Sequence, residues 1–322
     1  MTVIIKKYYL LLILAALVLL PLASPALFSD YYLDLFTKIL IFGIMLLGYD
    51  ILAGYTGLVS LGHALFFGLG GYCAAFTINH FSSNLAPVLA VALIVSTAIG
   101  LFVGFFSTQT KDIFFVFLTL AFAQFFYLAA FNMTGITGGD NGITIAKATI
   151  GIPSLWTTKI PRPYGFYYLA LVFFVLSFAI CRRVINSPFG KVLVAIRENE
   201  ERVSYLGYSI RKVKIKSYMI SVWLATVAGV LFAAYQDFVS PGMLHWALSG
   251  DLILMSVLGG MGTLVGPVLG GAIIILLGDE LSSLTENWMI FIGGFFVLMI
   301  IFAPKGVLGV LSNIRWFRNH DA

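Results

Sequence analysis

The chain has 322 residues, of which 60% are hydrophobic and only 10% are charged. Soluble domains carry charge at about 25% of their positions, so this composition excludes an ordinary soluble protein. The net charge of +5 does not indicate a nucleic-acid partner, because nearly half of the basic residues lie in one short segment, as the positive-inside rule predicts for membrane proteins. The two cysteines, Cys73 and Cys181, indicate neither a metal site nor a disulfide framework.

Apolar blocks near the ~20-residue length that crosses a bilayer as a helix follow one another along the chain. They predict an all-α polytopic membrane protein with a single transmembrane domain over residues 1–322. The clear spans lie at about 8–28, 33–53, 64–80, 85–108, 113–131, 164–183, 215–236 and 286–303. The first block also resembles a cleavable signal peptide, with PLASPA as its small-residue site. We favour an uncleaved first helix, because the apolar stretch is long enough to span.

The apolar block from Leu244 to Leu284 is either one helix or a hairpin that turns at GGMGTLVGP, residues 259–267. The basic segment 182–216 and the basic C-terminal tail should both face the cytoplasm. An even number of membrane crossings must therefore separate them. One helix in the block 244–284 gives three crossings and a hairpin gives four, so the hairpin is required. The prediction is about ten transmembrane helices, with both termini cytoplasmic.

Two short stretches resemble each other. LAGYTGLVSLG (52–62) and LGGMGTLVGPV (258–268) share Leu, Gly, Leu and Val at matching places. Internal repeats are common in transport folds. The hypothesis is that a related hairpin occurs twice, although four matches in a Leu- and Gly-rich chain can also arise by chance.

Charge is concentrated between Arg182 and Lys216, where nine Lys or Arg and three Glu occur. Ser187-Pro188 is a typical helix start, and Gly207 suits the left-handed residue that ends a helix. The pattern predicts one amphipathic helix over 188–207, within a cytoplasmic loop over 184–214. Its apolar stripe is Val192, Ile196, Val203 and Leu206.

Two alternative environments fit this predicted helix. It can lie among anionic lipid headgroups, or it can dock into a groove on another protein. Anionic lipid would not select three glutamates on the helix itself. Mixed charge on one face and apolar residues on the other fit a protein groove, so we favour a protein partner.

The segment AIRENEERVSYLGYS (195–209) resembles the cytoplasmic coupling segment of ABC-importer permeases, specifically the branched-chain amino acid (LIV-type, LivM-like) permeases. Four further stretches resemble the same family in the same order. They are GYTGLVSLGHALFFGLGGY (54–72), TGITGGDNGI (134–143), GGMGTLVGPVLGG (259–271) and APKGVLG (303–309). The resemblance implies that the solute is a branched-chain amino acid or a related small amino acid or amide; because urea permeases of the superfamily look similar, a urea or short-amide permease is the alternative.

The resemblance implies that residues 188–207 are seated on a separate ABC ATPase subunit. The implied ATPase-coupling residues are Lys191, Ile196, Arg197, Glu198, Asn199, Glu201, Val203 and Gly207. ATP and Mg²⁺ are expected on that partner, because this chain lacks a G-x-x-x-x-G-K-[ST] motif and is expected to bind no cofactor. The resemblance also implies a second, paralogous permease subunit, a periplasmic or extracellular solute-binding protein, and a place in the bacterial inner membrane.

The longest outer loop, 132–163, contains TGITGGDNGI. Its Gly138, Gly139, Asp140 and Asn141 are candidates for contact with the solute or binding protein, since Gly-rich turns can cradle anions; a plain tight turn is the alternative. Ionisable residues inside membranes are functional candidates by default.

The pathway candidates of this kind are Asp50, His63 and the mid-span Gln124, with Asp251 in a later helix. Asp50 and His63 flank one turn, so a mutual hydrogen bond is a structural alternative for both. For Gln124, helix packing is the alternative.

Two other classes of function compete with the importer. An ion-coupled secondary transporter needs a charged or unwound site at the membrane centre, whereas the strong charges here lie near helix ends. A membrane enzyme needs a cluster of carboxylates, histidines or a nucleophile at one face, but His63, His80, His245 and His320 are scattered along the chain. We therefore expect a transport subunit without catalytic or metal-binding residues.

Overall fold

The computed structural model of the chain describes residues 17–19, 21, 30–152, 156–303 and 306–313. Its long helices are α1 (Asp30–Asp50), α2 (His63–His80), α3 (Leu85–Ser107), α4 (Asp112–Asn132), α6 (Tyr164–Ile185), α9 (Ile210–Gln236), α10 (Trp246–Gly259), α11 (Val265–Leu284) and α12 (Trp288–Phe302). The short helices are α5 (Thr134–Thr137), α7 (Pro188–Glu198), α8 (Glu200–Tyr205) and α13 (Gly306–Asn313). The short strands are β1 (Ile143–Thr144), β2 (Thr149–Ile152), β3 (Trp156–Lys159) and β4 (Phe238–Val239).

Seven described helices are long and apolar enough to cross a membrane. They are Asp30–Tyr55, Leu85–Ser107, Asp112–Asn132, Tyr164–Ile185, Ile210–Gln236, Val265–Leu284 and Trp288–Gly309. The polytopic membrane architecture is therefore confirmed. The predicted span 64–80 is helix α2, which is not among the seven, and the predicted span 8–28 lies outside the described residues except for 17–19 and 21. The count of ten and the cytoplasmic termini stay predictions.

Helices α1 and α9 form the centre of the bundle. Both are mostly buried, and α9 packs against α1, α2 and α3. The α2–α9 approach depends on glycine, because a Cβ at Gly70 would overlap the carbonyl oxygen of Thr226 and one at Gly229 would overlap that of Phe67. Small residues let helix backbones pack this closely in lipid. Helices α3, α4, α11 and α12 bury much less of their surface, so their outer faces can meet lipid or another subunit.

Helices α10 and α11 form the hairpin predicted for 244–284. The turn between them, residues 260–264, holds Gly260 and Gly262 at φ +109° and +80°, a region that favours glycine. The predicted position of the turn is confirmed. Helix α10 has only 14 residues, which is about 21 Å of helix against a hydrocarbon core of ~30 Å. The crossing of the membrane by both arms therefore stays a prediction.

The side of the membrane that this turn faces can be measured directly. Thr263 is exposed, so Thr263→Cys, with Cys73 and Cys181 replaced by Ala, should react with a membrane-impermeant maleimide. We expect labelling in inside-out vesicles and none in right-side-out vesicles. Labelling in right-side-out vesicles would contradict the parity argument for the hairpin and the cytoplasmic C-terminus.

The outer loop, 132–163, contains strands that the all-α prediction omitted. Strand β1 pairs antiparallel with β4, with Ile143 opposite Val239, and β2 pairs with β3, with Thr149 opposite Lys159. The β1–β4 pair joins residues almost 100 positions apart, and no local periodicity indicates such a pairing. The fold is mostly helical as predicted, and the β1–β4 pair fastens the outer loop to the end of α9.

Candidate functional site

The predicted coupling segment, 184–214, contains two helices where the sequence predicted one. Helix α7 ends at Glu198 and α8 begins at Glu200, with Asn199 in extended conformation between them. The Asn199 side chain accepts a hydrogen bond from the backbone N–H of Arg202 at 3.0 Å. Asparagine side chains compete for backbone hydrogen bonds, and therefore start helices more readily than they continue them. The prediction of one unbroken helix over 188–207 is wrong.

Both predicted ends of the segment are confirmed. The Ser187 hydroxyl accepts a hydrogen bond from the backbone N–H of Gly190 at 3.4 Å, and Pro188 occupies the first helical position. Gly207 has φ +84°, and a Cβ there would meet no atom within 4 Å. Backbone conformation, rather than lack of space, therefore requires glycine at 207.

The buried face of the coupling segment differs from the predicted stripe. Ile196 and Val203 are buried as predicted, but Leu193 is also buried and Val192 only half-buried. Leu206 is 75% exposed, so its predicted place in the stripe is wrong; the break at Asn199 shifts the phase of α8 relative to α7. The exposed members of the candidate coupling set are Lys191, Arg197, Glu198, Asn199, Glu201 and Gly207.

A buried ion pair fixes α8 to the membrane domain. The Lys214 ammonium group pairs with the Glu200 carboxylate, and the lysine side chain is only 3% exposed. Breaking a buried pair leaves an uncompensated charge, which typically costs ~3–5 kcal/mol. In the sequence, Lys214 is one of the nine basic residues between Arg182 and Lys216, and nothing there indicates this contact. No local signal joins the two residues, because they lie on different helices.

Arg197 and Asp50 connect the coupling segment to the α10–α11 turn. The Arg197 guanidinium donates a hydrogen bond to the backbone oxygen of Gly54, in the π-helical turn Ile51–Tyr55 that continues α1. The buried Asp50 carboxylate accepts hydrogen bonds from the backbone N–H groups of Gly262 at 2.7 Å and Leu264 at 2.9 Å. The coupling segment, the end of α1 and the turn are therefore consecutive members of one hydrogen-bonded chain.

The two similar sequence stretches, 52–62 and 258–268, meet in this network. A Cβ at Gly54 would lie only 2.5 Å from the backbone nitrogen of Gly262, so the two backbones are in direct contact. Their conformations differ, since 52–62 contains a π-helical turn and an irregular loop whereas 258–268 contains a five-residue turn between α-helices. Their origin as a repeat stays a hypothesis, but their proximity is a finding.

His63 lies beside this network without joining it. Its Nε2 atom is 2.6 Å from the Ser221 hydroxyl, and its ring stands edge-on to Tyr49, with the ring centroids 5.0 Å apart. Among the described residues, His63 Nδ1 has no hydrogen-bond partner. The alternative in which Asp50 and His63 bond each other is wrong, because each has a different partner more than 150 positions away in the sequence.

Gln124 lies on α4, away from the Asp50 network. The residue is half-buried, and its Oε1 atom is buried without a hydrogen-bond partner in the described part of the chain. A buried amide oxygen without a partner is costly. Its role as a pathway residue stays a prediction.

The candidate residues of the outer loop form a tight turn. Gly138 and Gly139 have φ of +73° and +58°, whereas Asp140 and Asn141 are exposed in a short 3₁₀ turn. Glycine is needed here for backbone conformation, which supports the tight-turn alternative. The two exposed side chains are the part of this set that a solute or another protein can reach.

The far end of the outer loop is fixed by an ion pair. Arg162 donates to both carboxylate oxygens of Asp237 at 2.8 and 2.7 Å, and to the backbone oxygen of Ala234 at 2.6 Å. Bidentate pairs of this kind impose geometry as well as energy. Together with the β1–β4 pair, this contact holds the loop against the end of α9.

The contacts of the site are of a kind that can transmit movement. Residues 30–152, 156–303 and 306–313 contain no group of three His, Cys, Asp or Glu side chains placed to hold a metal. The site offers an exposed, charged surface segment that is hydrogen-bonded to a turn between two membrane helices. Such an arrangement can transmit movement of a bound partner to the bundle.

Comparisons with known proteins identify the family of the chain. Residues 31–302 match the family described as branched-chain amino acid transport system / permease component. The chain is 31% identical to the high-affinity branched-chain amino acid transport system permease protein LivM of Escherichia coli (strain K12), across 92% of this chain and 74% of the relative.

Two more distant relatives extend the comparison. The probable branched-chain amino acid transport permease protein LivM of Methanocaldococcus jannaschii is 26% identical, across 76% of this chain and 78% of the relative. The permease protein LivH of Escherichia coli (strain K12) is 27% identical across 43% and 46%. No solved structure matches significantly. The family match covers most of the chain, so this protein belongs to the permease-component family of branched-chain amino acid ABC transport systems and is a transport subunit rather than an enzyme.

Proposed function

We propose that this chain is the subunit through which branched-chain amino acids cross the bacterial inner membrane, moving inward at the expense of ATP hydrolysed on separate ATPase subunits. The observation that carries the proposal is the family match over residues 31–302, together with relatives whose names specify this class of solute. Within the proposal, residues 1–322 form one transmembrane domain.

The coupling segment is the proposed seat of the ATPase. Its exposed residues include both basic and acidic side chains: Lys191, Arg197, Glu198 and Glu201. The end of α8 also exposes Tyr205 and Leu206. Mixed charge beside exposed apolar side chains fits a protein groove better than an anionic lipid surface. The hydrogen bond from Arg197 to Gly54 then carries movement of the ATPase into the end of α1.

The pore is proposed to be completed by a second, paralogous permease. This chain is similar to both LivM and LivH of Escherichia coli (strain K12), which supports a pair of related subunits. The weakly buried helices α3, α4, α11 and α12 provide surface for such a partner. The outer loop, with its exposed Asp140 and Asn141, is the proposed contact for a periplasmic binding protein.

The proposal is tested by purifying the tagged chain, identifying its partners by mass spectrometry and reconstituting the complex in proteoliposomes. ATP-dependent accumulation of labelled isoleucine, in the presence of the co-purified binding protein, is the expected result. Unlabelled leucine should compete, and urea and acetamide should not. Uptake of urea in place of isoleucine, or uptake driven by an ion gradient without ATP, would refute it.

Reversal of charge at Glu198 tests the coupling segment. Glu198 is exposed at the end of α7, and charge reversal at an interface typically costs ~2–5 kcal/mol when it removes a desolvated partner. We expect Glu198→Arg to weaken ATPase association and to reduce uptake while insertion into the membrane stays normal. The measurement is ATPase recovered per permease after affinity purification.

A matched variant separates protein docking from lipid binding. Glu286→Arg reverses a charge of the same type outside the coupling segment, and it should leave ATPase recovery unchanged. A lipid-bound segment predicts that Glu198→Arg binds the anionic leaflet more strongly and keeps full ATPase association. That result would show that residues 188–207 are not the segment that couples the permease to the ATPase.

A further inference from the structure

A cavity of about 560 Å³ lies between α1, α10, α11 and α12. Small-molecule sites typically occupy ~300–1,000 Å³ and combine apolar walls with a few placed polar groups. Most of this cavity is lined by aliphatic and aromatic side chains, including Leu254 and Phe296. Three charged side chains interrupt that lining: Lys38, Asp251 and Asp279.

Two of these charges have no protein partner, and of the two Lys38 is half-buried whereas Asp251 is exposed. Within the described part of the chain, Lys38 and Asp251 make no hydrogen bond and no ion pair, either with each other or with another side chain. Asp279, by contrast, accepts a hydrogen bond from the Tyr31 hydroxyl. Ionised groups within membrane spans are costly and are usually retained for a ligand or a pathway, and Lys38 lies on one of the seven candidate spans. A single ligand that carries both charges would satisfy Lys38 and Asp251 together.

We infer that this cavity binds the zwitterionic head of an α-amino acid whose side chain is aliphatic. The Lys38 ammonium group receives the α-carboxylate, the Asp251 carboxylate receives the α-ammonium group, and the side chain packs against Leu254 and Phe296. The inference rests on the proposed function and names where in this chain the amino acid is held. Urea and short amides carry neither charge, and would leave both protein groups buried by the ligand without a partner.

Two of the cavity's charged side chains lie on the same helices as parts of the Asp50 network, but more than two helical turns away from them. Lys38 precedes Asp50 by 12 residues on α1, and Asp279 follows Val265 by 14 residues on α11, which correspond to about 18 and 21 Å of helix. A displacement of the turn that Asp50 holds therefore moves the helices that carry the cavity's charges. The amino acid and the ATPase can influence each other through these helices.

Thiol protection tests the site directly, without the solute-binding protein. Leu254→Cys is placed in the assembled complex, in a background with Cys73 and Cys181 replaced by Ala, and embedded in nanodiscs of phosphatidylcholine and phosphatidylglycerol. Saturating isoleucine is expected to slow maleimide labelling by about tenfold. Isoleucine amide, which lacks the carboxylate, and urea should not slow it. Ile275→Cys, on another wall of the cavity, is the second reporter if Leu254→Cys does not assemble.

Charge variants then assign the two ends of the ligand. Lys38→Met and Asp251→Asn should each raise the isoleucine concentration needed for half-protection by about thirtyfold or more, while Lys38→Arg should retain most of the protection. Lys147→Met, which removes an exposed lysine of the outer loop, should leave protection unchanged. Equal protection by isoleucine in the wild-type and Lys38→Met complexes would overturn the assignment.

A lipid headgroup with an ammonium group and an anion is the other source of this chemistry. If phosphatidylethanolamine added to the nanodiscs protects the reporter and isoleucine does not, the cavity is a lipid site and the inference is overturned. Failure of the proposed function has a different signature, because the reconstituted complex would then not accumulate isoleucine at all. If the complex accumulates isoleucine but isoleucine does not protect the cysteine from maleimide, the assignment of the cavity is refuted and the proposed function is not.

Discussion

Asp50→Leu is expected to reduce ATP-driven uptake by roughly a hundredfold while the complex still assembles. The substitution removes the acceptor of the two hydrogen bonds from the α10–α11 turn. Hydrogen bonds to a charged group contribute ~1.5–3 kcal/mol each, so the loss of two corresponds to about two factors of ten at the lower end of that range. The measurement is the initial rate of isoleucine uptake in proteoliposomes, normalised to the amount of complex.

Two further variants separate this effect from a general loss of charge on α1. Asp50→Asn keeps the shape and one acceptor oxygen, so an intermediate loss of about tenfold is expected. Asp30→Asn changes an exposed carboxylate at the other end of the same helix, and should retain uptake. Equal uptake by Asp50→Leu and wild type would show that the turn does not need its carboxylate for transport.

Gly229→Ala is expected to destabilise the bundle by about 3 kcal/mol or more. The added Cβ overlaps the backbone oxygen of Phe67, and a backbone atom in a packed helix has less freedom to move than the end of a side chain. Overpacking typically costs ~1–3 kcal/mol, and this position lies at the upper end because α2 and α9 would have to separate. The midpoint of thermal unfolding in detergent, followed by size-exclusion chromatography, should fall by several degrees.

The chain offers a matched control in Gly294→Ala. An added Cβ at Gly294 meets no atom within 4 Å, and alanine is the better helix former. The unfolding midpoint of this variant should stay the same or rise slightly. A similar fall in both variants would assign the loss to glycine replacement in general and not to the α2–α9 crossing.

The long helices could be predicted from the sequence because each is encoded locally. The lengths of the apolar blocks predicted the positions of the long helices, and the glycine-rich stretch GGMGTLVGP predicted the position of the turn between α10 and α11. The ends of the coupling segment are also determined by local residues, since Ser187 caps a helix and Gly207 adopts positive φ. Where one residue and its neighbours decide the backbone, the sequence-based prediction agrees with the structure.

The contacts that connect these elements could not be predicted in the same way. Asp50 was paired with His63 because the two are close in sequence, yet its partners are Gly262 and Leu264, more than 200 positions away. Backbone N–H groups carry no side-chain signature, so nothing in residues 262–264 indicated a carboxylate partner. Lys38 was missed for the same reason, because its cavity is assembled from four helices.

The break at Asn199 was missed for a different reason. The helical spacing of apolar residues over 188–207 favours one helix. This spacing depends only on the order of the side chains, so it does not show whether the backbone is helical at every position between them. Asn199 is unfavourable inside a helix but favourable at the start of one, and this local preference outweighs the period. A polar residue with a short side chain in the middle of an amphipathic pattern is a signal that could have located the break.

The way Asp50 holds the α10–α11 turn has a consequence for how this protein can change in evolution. The carboxylate bonds the main chain of Gly262 and Leu264, and main-chain groups are the same whatever side chain a residue carries. The hydrogen bonds to Asp50 therefore place no demand on the side chain at Met261, which is constrained only by its packing against the core. Insertion or deletion of one residue between Gly259 and Val265 displaces both N–H groups at once. Related sequences should accordingly keep the length of this turn constant, and should retain glycine at positions 260 and 262, where φ is positive.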